Sequence, residues 1–183
     1  WLWLPEGFTV LPTAPFSLAD LYTLRCFGTV NFVLGTVRSR SPVETTDALA
    51  RVMMSPLSRR LLSTFTEGSI RYRLEFISKS HQRGAVQQLA NRAYALCPDI
   101  LNDARRAPWS MDIREGGRGF SVELRPRFAP DPRFGYRKDD VDAASHPPLA
   151  ACMARLAGKR HEDMVWDPFC GSGQELVERA LLG

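Results

Sequence analysis

The residues of this chain with the clearest capacity for chemistry are Asp167, Pro168, Phe169, Cys170, Gly171, Ser172 and Gly173. A short strand, Met164 to Trp166, is expected before them and a helix from Gln174 after them, so the pattern predicts a strand, a glycine loop and a helix. Gly171 and Gly173 carry no Cβ, which lets a ligand approach the backbone and makes positive φ inexpensive. The following helix offers unpaired N–H groups and the positive end of its dipole to an anion or a polar oxygen. Asp167 stands at the C-terminal end of the strand, where open α/β sheets bind ligands, and an acid there can pair with an ammonium group. A ligand carrying both a carboxylate and an ammonium, such as the methionine part of S-adenosylmethionine, meets both demands. A phosphate-binding loop would need Lys-Ser/Thr after its last glycine, whereas Gly173 is followed by Gln174 and Glu175. The dinucleotide fingerprint would need a third glycine that is absent. The bland alternative is a tight turn built of small residues.

Three blocks of elements lead to this loop. In the first, residues 1–67, Phe27 to Val37 reads as a strand and Val43 to Met54 as a helix introduced by Ser41-Pro42. A second strand–helix unit is expected to end near Phe65. In the second, residues 68–137, Ile70, Tyr72, Leu74 and Phe76 alternate with Arg71, Arg73 and Glu75, the pattern of a half-buried strand. A helix over Arg83 to Leu96 follows, stopped by Cys97-Pro98. Strands Trp109 to Arg114 and Phe120 to Arg127 are then joined by a glycine-rich hairpin turn, Glu115 to Gly119. In the third, residues 138–183, a helix over Pro147 to Leu156 precedes the loop.

Bulk properties bound the functions available. The chain has 183 residues, 44% hydrophobic and 24% charged, as in globular proteins, enough for one domain or two small ones. No apolar run approaches the roughly 20 residues needed to span a bilayer. The opening Trp1-Leu2-Trp3-Leu4 is ended by Pro5 and Glu6 and lacks a basic flank, so it is not read as a signal peptide. Cys26, Cys97, Cys152 and Cys170 form no C-x-x-C, and His81, His146 and His161 add no zinc spacing. Reduced, mostly buried thiols in a cytoplasmic protein are the expectation, with no metal. Net charge is +4, and the excess is concentrated between Arg71 and Lys138, where 14 Lys or Arg face 7 Asp or Glu. A basic middle segment suits a polyanion. The start on Trp1 and the helix-like run from Gln174 to Gly183 are the pattern expected of part of a longer polypeptide.

With these residues in view, the segment Asp167 to Gly173 resembles motif I of the class I methyltransferases, in the form used by the THUMP-domain-containing RNA guanine-N2 methyltransferases. In that family the motif runs D-P-x-C-G-S-G-T-x-x-x-E. Glu178 falls on the closing acid, and Gln174 stands where threonine is usual. Ala143 to Ala151, together with Arg137, resembles the linker and helix leading into the motif, which implies that Ser145, His146 and Pro147 line the cofactor pocket. His146 has a plain alternative as an ordinary residue at the start of a helix. Cys170 by resemblance packs beside the cofactor, with a reactive thiol as the alternative. The resemblance implies a ferredoxin-like domain over 1–67, a THUMP-like RNA-binding domain over 68–137, and the start of a Rossmann-like methyltransferase domain over 138–183. The expected fold class is thus an α+β N-terminal region leading into a truncated α/β domain.

The implied cofactor is S-adenosylmethionine, and the implied partner is structured RNA, tRNA or rRNA, with guanine N2 as acceptor. Arg71, Arg73, Arg114, Arg125, Arg127, Arg133 and Arg137 are the candidates for RNA phosphate contacts, each with a plain alternative as a solvated surface residue. The family's acceptor motif, Asp/Asn-Pro-Pro-aromatic, is met only by His146-Pro147-Pro148-Leu149, which comes too early and has the wrong first and last residues. The acceptor site is therefore expected outside this stretch. Two other readings fit the same loop: a nucleic-acid-binding module without activity, and a DNA or protein methyltransferase sharing motif I.

Overall fold

The structure, a computed structural model, describes residues 2–4, 7–9, 15, 17–38, 40–77, 83–117, 119–127, 131–138, 142, 144–158 and 164–183. Arg118 of the expected hairpin turn and Ala143 of the expected linker lie outside the described residues. The chain divides into two compact units, residues 29–129 and, from both ends of the sequence, residues 1–28 with 130–183. The second of these begins with an antiparallel hairpin of β1 (Leu2–Leu4) and β2 (Gly7–Thr9), in which Trp3 lies opposite Phe8. A short helix follows, α1 (Leu18–Thr23), its start held by the Asp20 carboxylate, which accepts from Ser17 N.

The 29–129 unit opens with β3 (Phe32–Arg38), shorter at its N-terminal end than the sequence pattern predicts. Ser41 then caps α2 (Pro42–Met53): its Oγ accepts from Glu44 N and donates to the Glu44 carboxylate, and Pro42 occupies the first helical turn, where no N–H is needed. The same device repeats at once. Ser55 and Pro56 start α3 (Pro56–Thr64), so the strand expected before this helix is absent and the chain passes from helix to helix. Next come β4 (Ile70–Phe76), α4 (Arg83–Leu96), β5 (Ile100–Asn102), β6 (Trp109–Gly116) and β7 (Gly119–Pro126).

The five strands form one mixed sheet in the order β3-β7-β6-β4-β5. β4 runs parallel to both its neighbours, while β7 is antiparallel to β6 and β3. Tyr72 and Leu74 of β4, Met111 and Ile113 of β6, and Val122 and Leu124 of β7 share one core with Leu49 and Met53 of α2, Leu62 of α3, and Leu89 and Ala93 of α4. Burial pushes the Tyr72 hydroxyl up to about 12. Because α2, α3 and β3 join β4 to β7 in this unit, the boundary expected between residues 67 and 68 falls inside it. The physical reason is pairing: β7 can use both of its edges only if β3 supplies the second partner.

After a 3-10 turn, Pro132–Phe134, the chain forms α5 (Pro147–Leu156) and α6 (Gln174–Leu181), which lie against each other; α5 buries Ala150, Ala151 and Ala154, and α6 buries Gln174 and Glu178. The strand expected at 164–166 is not formed. A strand exists only by hydrogen bonding to a neighbour, and among the described residues none pairs with these; Trp166 remains 82% exposed. No helix among the described residues is long and apolar enough to cross a membrane.

Candidate functional site

In the unit formed by the two ends of the chain, the loop from Asp167 turns on its own backbone. Asp167 is half-buried, and its Oδ1 accepts from Phe169 N (2.9 Å), closing an Asx turn. Gly171 and Gly173 have φ of 49° and 69°, the left-handed region that favours glycine. Gly173 N donates to the Cys170 carbonyl (2.6 Å), and Gly173 then serves as the N-cap of α6 without any side-chain cap. Among the described residues, a Cβ at Gly173 would meet nothing within 4 Å, so these leave the approach to the start of α6 open. The first-turn N–H groups there can receive an anion. Pro168, Phe169 and Cys170 are exposed, and Ser172 is half-buried.

Of the residues expected from the preceding linker, Ser145 is half-buried and Pro147 is buried within the first turn of α5. His146 is exposed and takes the N-cap position of α5 without a side-chain cap bond. Gln174, at the position where the resembled family has threonine, is 2% exposed. Its amide oxygen faces Arg137 Nε (3.0 Å) and its amide nitrogen faces the Ser145 carbonyl. Glu178 is also 2% exposed, and both its oxygens are engaged within the protein: Arg25 Nε at 2.7 Å, Arg25 Nη2 at 2.9 Å and the Tyr136 hydroxyl at 2.6 Å. Arg25 was not singled out from the sequence. It lies 153 positions from Glu178, and no local pattern marks such a pair.

These contacts set the local electrostatics. Burial alone would raise the Glu178 carboxyl, but hydrogen bonds from Arg25 and Tyr136 outweigh it and hold the group below the ordinary carboxylate value of 4.5. Tyr136 is pushed up to about 12 by burial and by Glu178. The Arg133 hydrogen bonds hold Asp131 below its ordinary 3.8. A carboxylate depressed on folding stabilises the fold fully above its unfolded pKa, and that contribution is lost as pH falls through the lower folded value. The melting temperature of this unit is therefore expected to be flat above about pH 5 and to drop below about pH 4. Glu178→Gln should flatten part of that acid drop in a pH series of thermal scans; an unchanged profile would show that Glu178 does not contribute to it.

The arginines expected at RNA are, for the most part, already bonded. On the sheet face opposite the helices, Arg73 pairs with Glu75 (2.6 Å), Arg125 with Asp112 (3.0 Å) and Glu75 (3.4 Å), and Arg114 with Glu123 (3.6 Å). Three cations and three carboxylates thus share that face, where Asp112 and Glu123 are buried, and the net charge of the set is zero. Arg133, with a side chain only 5% exposed, binds Asp131 and the carbonyls of Leu24 and Gly28 and lies over the rings of Tyr22, Phe27 and Phe134. Its role here is structural. Arg137 is half-buried beside Gln174.

A basic corner is formed instead near the ends of β5 and β7. Asp103 accepts from Arg71 Nη1 (2.6 Å) and from the backbone N–H groups of Arg105 and Arg106, which hold its carboxyl down at about 2. Arg127 joins them by donating to the Ala107 carbonyl (2.9 Å). Arg105 and Arg106 are exposed. They lie in a turn outside any alternating strand, so no local pattern in the sequence marks them. Among the described residues, no group of three or more His, Cys, Asp or Glu could hold a metal ion.

Residues 134–183 match the family model of the RMKL-like methyltransferase domain, a match that takes in the linker, α5, the loop and α6. A 37-residue stretch is 49% identical to the tRNA (guanine(10)-N2)-dimethyltransferase of Methanothermobacter thermautotrophicus, covering 20% of this chain and 11% of that protein. The fold is similar to that of a predicted N6-adenine-specific DNA methylase from Listeria monocytogenes, with a TM-score of 0.61 and 16% identity. That likeness covers 87% of this chain and 42% of the other, so the chain spans well under half the length of either relative.

Proposed function

We propose that this chain supplies the RNA-docking region and the first cofactor wall of an S-adenosylmethionine-dependent RNA methyltransferase acting on tRNA or rRNA, with guanine N2 as the acceptor. The observation that carries the reading is the Asp167–Gly173 loop, turned by two left-handed glycines onto the open start of α6, inside the segment that matches a methyltransferase family. The chemistry of this donor set fits the cofactor: Asp167 for its ammonium, the first-turn N–H groups of α6 for its carboxylate, and Gly171 and Gly173 for backbone clearance. The bound cofactor supplies an electrophilic methyl group on a sulfonium. The protein's part is to hold that group in line with the acceptor, and orientation provides much of the acceleration in such reactions. Glu178 steadies α6 and does not reach for the ligand, because Arg25 and Tyr136 engage its oxygens.

The THUMP-like, RNA-binding role falls in this reading to the 29–129 unit, with phosphate contact at the basic corner of Arg71, Arg105, Arg106 and Arg127. Two titrations test the proposal. Calorimetry with S-adenosylmethionine should give saturable binding. Fluorescence anisotropy with structured tRNA should give an affinity that falls steeply with salt. Replacing Arg105 and Arg106 together by Ala should weaken tRNA binding roughly tenfold and reduce the slope of log K against log salt by about 2. An unchanged slope would remove this corner from the interface. RNA binding without cofactor binding would favour the inactive binding module, and preference for duplex DNA over tRNA would favour a DNA methyltransferase.

A further inference from the structure

A surface helix ordinarily turns apolar residues inward, yet the residues α6 buries are Gln174 and Glu178, one turn apart on the same face. Buried polar groups are tolerable only when hydrogen-bonded, so their partners fix the rotation of the helix about its axis. Glu178 is gripped by the forked guanidinium of Arg25, a geometry that accepts little rotation. Arg25 in turn lies against the rings of Phe134 (5.1 Å) and Tyr136 (5.5 Å), and Tyr136 completes the coordination of Glu178. The backbone on either side of Arg25 is itself held, because Arg133 binds the carbonyls of Leu24 (3.1 Å) and Gly28 (2.8 Å). At the head of the same helix, Gln174 bridges Arg137 and the Ser145 carbonyl.

We propose that Arg25 is a positioning residue for the loop Asp167–Gly173: through Glu178 it sets the rotation of α6, and with it the direction of the first-turn N–H groups that follow Gly173. The functional consequence rests on the cofactor reading given above; the mechanical part does not. The segment Tyr22–Gly28 is thereby part of the apparatus that shapes the loop, although it lies at the far end of the sequence from it.

Hydrogen–deuterium exchange on the whole chain separates the two. In Arg25→Gln and in Glu178→Gln, peptides covering 173–181 should exchange roughly tenfold faster, while those covering 109–116 in the sheet stay as in the parent. Arg25→Lys, which keeps the charge and loses the fork, should recover only part of the protection. Arg92→Gln, which removes a surface pair to Asp47, serves as the control and should change neither region. Where the parent binds S-adenosylmethionine, the dissociation constant in Arg25→Gln should rise roughly tenfold. Unchanged exchange over 173–181 overturns the proposal, as does an equal rise in every peptide, which would make Arg25 a general stability residue. A selective rise with unaltered cofactor affinity overturns its functional half. If the parent binds no cofactor, the reading of the loop fails, and the exchange data still decide whether Arg25 positions the helix.

Discussion

Asp167→Ala is expected to weaken S-adenosylmethionine binding at least about tenfold, the equivalent of 1.4 kcal/mol. Two losses combine in this variant. The carboxylate proposed to pair with the ligand's ammonium is removed, and hydrogen bonds to charged groups are worth roughly 1.5–3 kcal/mol. The turn also loses its brace, since Oδ1 of Asp167 accepts from Phe169 N at 2.9 Å. Asp167→Asn separates the two effects, because an amide oxygen can still accept from Phe169 N while the charge is gone. If the ion pair dominates, Asn should bind almost as poorly as Ala; if the turn dominates, Asn should bind like the parent. Calorimetry of the three proteins reads the difference directly. Parent-like affinity in both variants would remove Asp167 from the site.

The largest loss of stability is expected from Gly119→Ala. A Cβ built at Gly119 would lie 2.1 Å from the Val37 carbonyl oxygen and 3.0 Å from the Arg38 Cα, so the obstacle is backbone and cannot turn aside. β7 would have to move away from β3 where Val37 pairs with Phe120 and Arg38 with Gly119. Overpacking of this kind costs about 1–3 kcal/mol, and the upper end is expected because ladder hydrogen bonds are lost with it. Gly117 provides the comparison. Its φ is 54°, but a Cβ there meets nothing within 4 Å, so Ala should cost only the left-handed strain of about 1–2 kcal/mol. Urea denaturation followed by the fluorescence of the buried Trp109 would rank the two. A reversed order would be incompatible with this register.

Much of the fold could be read from local pattern. The alternation from Ile70 to Phe76, the Ser-Pro start of α2 and the apolar stripe of α4 are each complete within one element, and each forms where the pattern placed it. Three expectations failed for different reasons. β5 is three residues long and shows no period, and a second Ser-Pro signal at Ser55 starts α3 directly, leaving out the strand expected before it. The apolar run at 164–166 reads as a strand but finds no partner strand. The site divides in the same way. The glycine loop is visible because its geometry is local, whereas the fate of its flanking groups is decided by residues far away. Glu178 has the spacing of a motif acid, yet Arg25 claims it. Arg73, Arg114 and Arg125 alternate as surface cations should, but Arg73 meets Glu75 two residues along its own strand, and the register of β6 and β7 sets Arg114 beside Glu123 and Arg125 beside Asp112.

The pairing of β3 with β7 also governs the order in which the chain can mature. Phe32 finds its partner Leu124 only after two helices, a parallel crossover and another hairpin have been threaded between them. Contacts so distant in sequence are reached late, because the entropy of closing the intervening loop is met before the contact repays it. On a ribosome the first strand of the sheet therefore waits with an open edge until nearly the whole unit has emerged. A nascent chain stalled before Gly119 would display that edge to any passing strand, and chaperone dependence should concentrate at that stage of synthesis.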